Sequence, residues 1–281
     1  MARPFKSELV IKEMNYLSGL HGFHIGFDQG SFRLTHLVDI IRSVIPEFAL
    51  GYHEGIGVPL TEMVDKLREA ADIVYNTDKY QKRGEFGELV LHLLLREFFN
   101  TIPLISKIYF KDSANTVVHG FDGIQVFDDG TSAKLWIGES KFYATGDSGV
   151  KALAKDVHDH INAEFIRQEF ELISRKIPAS IPNREHWINL MDKHQKLDVI
   201  FTSICIALVC TYTSDTLNNH TSESDQYFED LKNECEELKK ELDSRITEFK
   251  DLEIFLMLVP IPDKNVLNDK LDSRLKAMQS I

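Results

Sequence analysis

Leu34, Leu37, Val38, Ile41 and Val44 recur at the three- and four-residue spacing of one helix face and stop before Pro46. Met63, Val64, Leu67, Ala71 and Val74 make a second such stripe, so residues 1–80 read as a helical N-terminal region. A third helix is expected over 84–99, where Phe86, Leu89, Val90, Leu93, Leu94 and Phe98 form a broad apolar face behind a basic lead-in at 79–83. The pattern then changes to strands at 104–110, 120–127 and 134–143. Asp128-Asp129-Gly130-Thr131 between the last two marks a hairpin turn.

A long helical segment is expected over 148–175, followed by a Pro-containing loop at 177–183 and buried-type strands at 197–210 and 254–260. Helices, a meander, a helix and two more apolar strands predict an α/β or α+β fold whose sheet is covered on both faces. Residues 214–224 are polar and read as a loop. Leu231, Cys235, Leu238, Leu242 and Phe249 follow a 3,4 spacing that Arg245 interrupts, so the acidic stretch at about 225–250 reads as an amphipathic helix lying on its own domain.

Composition narrows the class. With 281 residues, 43% apolar, the chain can bury a substantial core. Cys205, Cys210 and Cys235 have no C-x-x-C spacing and suit a reducing compartment. The first sixteen residues have no apolar signal region, and the longest nearly apolar run, 199–212, is short of a membrane span, so a cytoplasmic protein with no membrane partner is expected. The formal charge is −12, of which −7 falls within residues 221–255. Such a balance argues against nucleic-acid binding over the whole surface and leaves room for a local basic patch.

The chemistry concentrates in the hairpin. Strand residues alternate faces, so Glu139 and Lys141 point the same way. A two-residue loop, either Asp129-Gly130 or Gly130-Thr131, puts Asp122 on that face, and the second register sets it opposite Glu139. Ile124, Val126, Leu135 and Ile137 share this face, while Phe121, Phe127, Trp136 and Phe142 are expected on the other. Two carboxylates in an apolar surround require compensating positive charge, which a divalent cation and a lysine supply. Oxygen ligands of this kind suit Mg²⁺, with Mn²⁺ as the alternative. Asp122 and Glu139 are expected to hold the ion and Lys141 to stabilise developing negative charge, which describes a phosphodiester hydrolase. Glu85 and Glu88 share a helix face just before the strands, and Glu88 is the first choice for a further metal-binding carboxylate.

Arg83-Gly84-Glu85-Phe86-Gly87-Glu88, Gly120-Phe121-Asp122-Gly123-Ile124 and Trp136-Ile137-Gly138-Glu139-Ser140-Lys141-Phe142-Tyr143 together resemble the PD-(D/E)XK nuclease core. More narrowly they are similar to the HamA family, nuclease subunits of the Hachiman anti-phage defence system. Leu258-Val259-Pro260-Ile261-Pro262 and Asp272-Ser273-Arg274-Leu275 resemble that family's C-terminal end, so the similarity runs from about Phe32 to Lys276. Phe121 stands where the motif's proline is usually found. The resemblance implies a restriction-endonuclease-like core within residues 81–281, a central mixed sheet flanked by helices. It further implies metal-dependent cleavage of DNA and a helicase partner, HamB, that loads or releases the nuclease. The metal-binding and catalytic roles carry over directly to Asp122, Glu139 and Lys141, and more loosely to Glu88.

Other features count for less. Lys151 and Lys155, at i and i+4 of the following helix, read as a solvated face or as phosphate contacts. His158 and His160 point in nearly opposite directions on a helix, and no H-E-x-x-H is present, so no zinc site is expected. Gly55-Ile56-Gly57 lacks the context of a dinucleotide fingerprint, and there is no Walker A sequence, so no nucleotide is expected on this chain. The alternative to a nuclease is a non-catalytic subunit that regulates a helicase through the charged cleft or the 228–249 helix.

Overall fold

The computed structural model describes residues 3–74, 84–106 and 120–281. The N-terminal part contains β1 (Lys12–Leu17), β2 (Leu20–His24), the two-residue strands β3 (Phe27–Asp28) and β4 (Ser31–Phe32), and helices α1 (Leu34–Leu50), α2 (Tyr52–Ile56), α3 (Met63–Val74) and α4 (Glu85–Phe98). The meander β5 (Ile102–Ser106), β6 (Gly123–Asp128) and β7 (Ala133–Tyr143) leads into α5 (Gly146–His160), α6 (Ala163–Ser174), α7 (Arg184–Leu190) and α8 (Leu197–Ser203). Then come β8 (Ile204–Thr213), α9 (Asp215–Asn219), α10 (Asp225–Arg245), β9 (Glu253–Ile261) and α11 (Lys264–Gln279).

Among the described residues, seven strands form one mixed sheet in the order β1-β2-β9-β8-β7-β6-β5. Strands β2, β9, β8 and β7 are parallel; β1 and the meander add antiparallel edges. The central β8 is buried along nearly its whole length, as its continuous apolar run requires of a strand covered on both faces. One face packs against α1, α3, α4 and α11, and the other against α5, α6 and α10. This is the α/β arrangement expected, a mixed sheet flanked by helices.

Four local expectations are corrected. Residues 1–80 are not helical throughout, because β1 and β2 join the main sheet beside β9. Their short polar-flanked runs carry no helical period. The segment expected as one helix over 148–175 is two, because Asn162 accepts the Phe165 N–H (3.0 Å) and caps a new start. The strand expected from 197 begins at Ile204; the residues before it form α8, a short apolar run in which period alone does not separate helix from strand. Residues 215–219, expected in a loop, form the short helix α9. The lead-in at 79–83 and the far half of the strand expected over 104–110 lie outside the described residues.

Helix α1 continues through Pro46 to Leu50, although a proline removes an intrahelical hydrogen bond and disfavours the turn before it. Tertiary contacts hold that last turn. The Glu47 carboxylate accepts from Arg96 Nε (2.6 Å) and Nη2 (3.3 Å) and from His92 Nε2 (2.8 Å), and Phe48, Ala49 and Leu50 are buried beside it. Burial works to raise the Glu47 carboxyl, but His92 and Arg96 outweigh it and hold it below the usual carboxylate range. The network continues through His92 Nδ1 to the Gln125 amide (3.4 Å), and Thr101 Oγ1 donates to Gln125 Oε1 (2.5 Å). It ties α1 and α4 to the meander.

Removing Glu47 leaves the Arg96 charge buried without its partner, so Glu47→Ala is expected to cost about 3–5 kcal/mol, read as a lower urea midpoint. Since the folded pKa is depressed, this stabilisation is present above the ordinary value of 4.5 and lost as pH falls through the folded value. The gap in stability between Glu47→Ala and wild type therefore narrows in acid.

Candidate active site

The turn after β6 sets the geometry of everything beyond it. Asp128 Oδ1 accepts from the Gly130 N–H (2.9 Å), and Asp129 Oδ1 accepts from the Thr131 and Ser132 N–H groups (both 2.9 Å). Gly130 takes the positive φ (83°) that this loop needs. The ladder then runs from Asp128↔Ala133 to Gly123↔Gly138, and the Asp122 N–H donates to Gly138 O (3.0 Å). One further step along it sets Asp122 opposite Glu139, the second of the two registers considered.

Beyond that point the strands part. Asp122 Oδ2 accepts from both the N–H and the hydroxyl of Ser140 (2.9 Å each), so a side chain takes the place of the next ladder bond. Helix α4 approaches closely here. A Cβ on Gly138 would stand 2.6 Å from Leu91 Cδ2, and one on Gly87 3.1 Å from Ser140 Oγ. On the other side α5 begins with Thr145 accepting the Ser148 N–H (3.3 Å), and a Cβ on Gly149 would stand 2.3 Å from Cys210 Sγ.

Alternation holds along β6 and β7. Ile124, Val126, Leu135 and Ile137 belong to the apolar layer under α5, and Trp136, Phe142 and Phe127 to the layer under α4. Phe121 is the exception. Expected with the latter group, it is buried in the former, because it precedes β6 and the two-residue period does not reach it.

Glu139 and Asp122 are 3% and 7% exposed, and Lys141 stands on the same face of β7 two residues on. Burial pushes the Glu139 carboxyl up to about 7; the His160 hydrogen bond opposes this and the Asp122 charge adds to it. His160 Nδ1 donates to Glu139 Oε1 at 2.6 Å, which raises the imidazole above its ordinary value. The His160 ring stacks on Phe165 (4.5 Å, 14°) and meets Phe121 edge-on (6.0 Å, 90°). The Lys141 ammonium forms an ion pair with Asp156. Burial works against that ammonium, but Asp156, Glu139 and Asp122 outweigh it and raise its pKa.

Asp122, Glu139 and Lys141 are thus gathered in one place. Glu88 is buried on α4 and lines a small cavity together with Asp122, His92 and Gln125, about 10 Å³ in size, room for roughly one water molecule. Glu85 is only half-buried at the start of that helix. No three His, Cys, Asp or Glu side chains among the described residues form a metal cage. A pair of carboxylates in an apolar surround still suits Mg²⁺, which keeps several waters and takes one or two protein carboxylates plus substrate oxygens.

Lys151 pairs with Asp147 (2.7 Å) and Glu241 (3.8 Å), and the exposed Lys155 pairs with Asp159, as a solvated face does. His158 is turned away from Glu139, toward Arg245 O (2.8 Å) and Glu248 (3.0 Å). Asp156 was not singled out by the sequence, and His160 was weighed there only for zinc and set aside. The signal for them was their i, i+4 spacing on the helix that follows the E-x-K strand.

The mixed sheet, the carboxylate pair at a strand fork and the adjoining lysine define an α/β nuclease-like core. The chain belongs to the HamA family, which matches residues 3–275, and so to a component of the Hachiman bacterial defence system. No curated protein matches the chain. Among the described residues, no helix is long and apolar enough to cross a membrane.

Because the folded value of Glu139 lies above its ordinary 4.5, the native chain holds a proton that the unfolded chain has lost between about 4.5 and 7. Stability falls as pH rises across that window. In metal-free buffer, Glu139→Gln is expected to flatten this part of the thermal-midpoint profile and to be the more stable protein above pH 7. Parallel profiles for the two proteins would show that Glu139 is ionised at no cost.

Proposed function

We propose that the chain is a metal-dependent DNA nuclease, the effector subunit of a defence complex that acts with a helicase partner in the cytoplasm. The observation that carries this reading is the convergence of Asp122, Glu139 and Lys141 where β6 and β7 part. A bound Mg²⁺ or Mn²⁺ ion would supply positive charge to a phosphodiester and lower the pKa of an attacking water. Asp122 and Glu139 would hold it, with Ser140 fixing one Asp122 oxygen and His160 one Glu139 oxygen. Lys141 would place its ammonium where negative charge develops on the phosphate. Glu88, behind Asp122, would orient this edge of the site from α4.

The net charge of −12 supports a nuclease that relies on its partner for a DNA track, since non-specific affinity comes chiefly from Lys and Arg. Much of the acidity lies on α10, which packs on α5 and on β1 and β2 and buries Tyr227, Leu231, Cys235, Leu238 and Leu242. No ATP-binding motif accompanies it on this chain.

Plasmid cleavage by the full chain, with and without the helicase partner and ATP, tests the reading. Cleavage is expected with Mg²⁺, to be abolished by EDTA, and to fall about 100-fold or more in Lys141→Ala, the loss typical of one transition-state charge stabiliser. Circular dichroism of the variant should be unchanged. A folded wild-type chain that cleaves nothing in any arm would instead support a non-catalytic subunit that regulates the helicase.

A further inference from the structure

Helix α5 meets the catalytic strand in matched steps. Four residues of α-helix rise about 6 Å, and two residues of strand advance about 6.7 Å, so one helical turn spans nearly the distance between successive same-face strand residues. Asp156 and His160 are one turn apart on α5, and Lys141 and Glu139 are two residues apart on β7. The helix runs back along the strand, so each pair meets: Asp156 with Lys141, and His160 with Glu139. Both contacts are of opposite sign. The stacked Phe165 and edge-on Phe121 fix the plane of the His160 ring. The close approach at Gly149 fixes α5 itself.

This pairing answers a problem that the site's composition creates. A lysine beside two buried carboxylates is drawn toward them, and a direct ion pair would occupy both the ammonium and carboxylate oxygens beyond those that Ser140 and His160 already fix. Asp156 gives Lys141 another partner. Resting on the reading of this site as a metal-dependent nuclease centre, we propose that Asp156 and His160 are positioning residues: Asp156 holds the Lys141 ammonium off Asp122 and Glu139, and His160 fixes the orientation of Glu139, so that the two carboxylates stay available to a divalent cation.

Calorimetric titration of Mn²⁺ into the full-length chain tests this without requiring turnover. Asp156→Asn and His160→Gln are each expected to weaken Mn²⁺ binding by about 10-fold or more, the usual effect of removing a group that orients a metal ligand. Adding Lys141→Met to Asp156→Asn removes the side chain that would collapse onto the carboxylates. The double variant should therefore recover near wild-type Mn²⁺ affinity while failing to cleave DNA. A purely structural role for Asp156 would not be rescued in this way, and thermal midpoints establish that each variant is folded. Wild-type binding with an unaffected Asp156→Asn variant, or an affinity loss that Lys141→Met does not restore, overturns the inference alone. A wild-type chain that binds no Mn²⁺ overturns the metal-centre reading and the inference with it.

Discussion

Two carboxylates buried where a strand pair parts repel each other and are poorly solvated, and the structure around the β6–β7 fork is arranged about that constraint. The capped turn at Asp128 and Asp129 puts Asp122 opposite Glu139. The fork lets Asp122 take two hydrogen bonds from Ser140 where a regular strand would have continued the ladder. Glycines at positions 87 and 138 let α4 settle on one side, and Gly149 lets α5 settle on the other. From α5 come a cation for Glu139 and an anion for Lys141.

Two buried polar centres flank the cavity that Glu88, His92, Asp122 and Gln125 share, and they differ in their charge. On the α1 side, Glu47 meets His92 and Arg96, with hydrogen bonds to both carboxylate oxygens. That centre is closed and acts as a clamp on the helix end beyond Pro46. At the β6–β7 fork, Asp122, Glu139 and Asp156 lie about Lys141 and His160, an excess of carboxylate over cation. A centre that served stability alone would gain by replacing such charges with apolar side chains of similar volume. The first holds the fold, and the second is the centre on which the proposed chemistry rests.

Much of this was legible in the sequence where the physics is local. The three-four spacing from Leu34 and from Phe86 marks helix faces, and the turn residues between two apolar runs mark the hairpin. The alternation from Leu135 to Lys141 puts Glu139 and Lys141 on one side whatever the rest of the chain does. The turn also set Asp122 across from Glu139, since a hairpin register depends on few residues, but not its face: like Phe121 it precedes β6, and it lines a cavity with Glu88 and His92 of α4. Where the local signal was weak, the expectation failed. Residues 12–24 become strands because β9 offers them an edge, α1 continues past Pro46 because Glu47 finds Arg96 and His92 on another helix, and Phe121 falls on the Glu139 side because the strand has not yet begun.

The sequence by itself determined the α/β class, the hairpin with Asp122 across from Glu139, and the common face of Glu139 and Lys141, because side-chain period and turn chemistry act over a few residues. Only the tertiary structure decided which groups answer those charges. Asp156 and His160 are ordinary helix-surface residues until α5 is laid along β7, and Glu47 is an ordinary carboxylate until α1 meets α4. Charge compensation in a buried site acts through space, between elements whose separation along the chain says nothing of their distance.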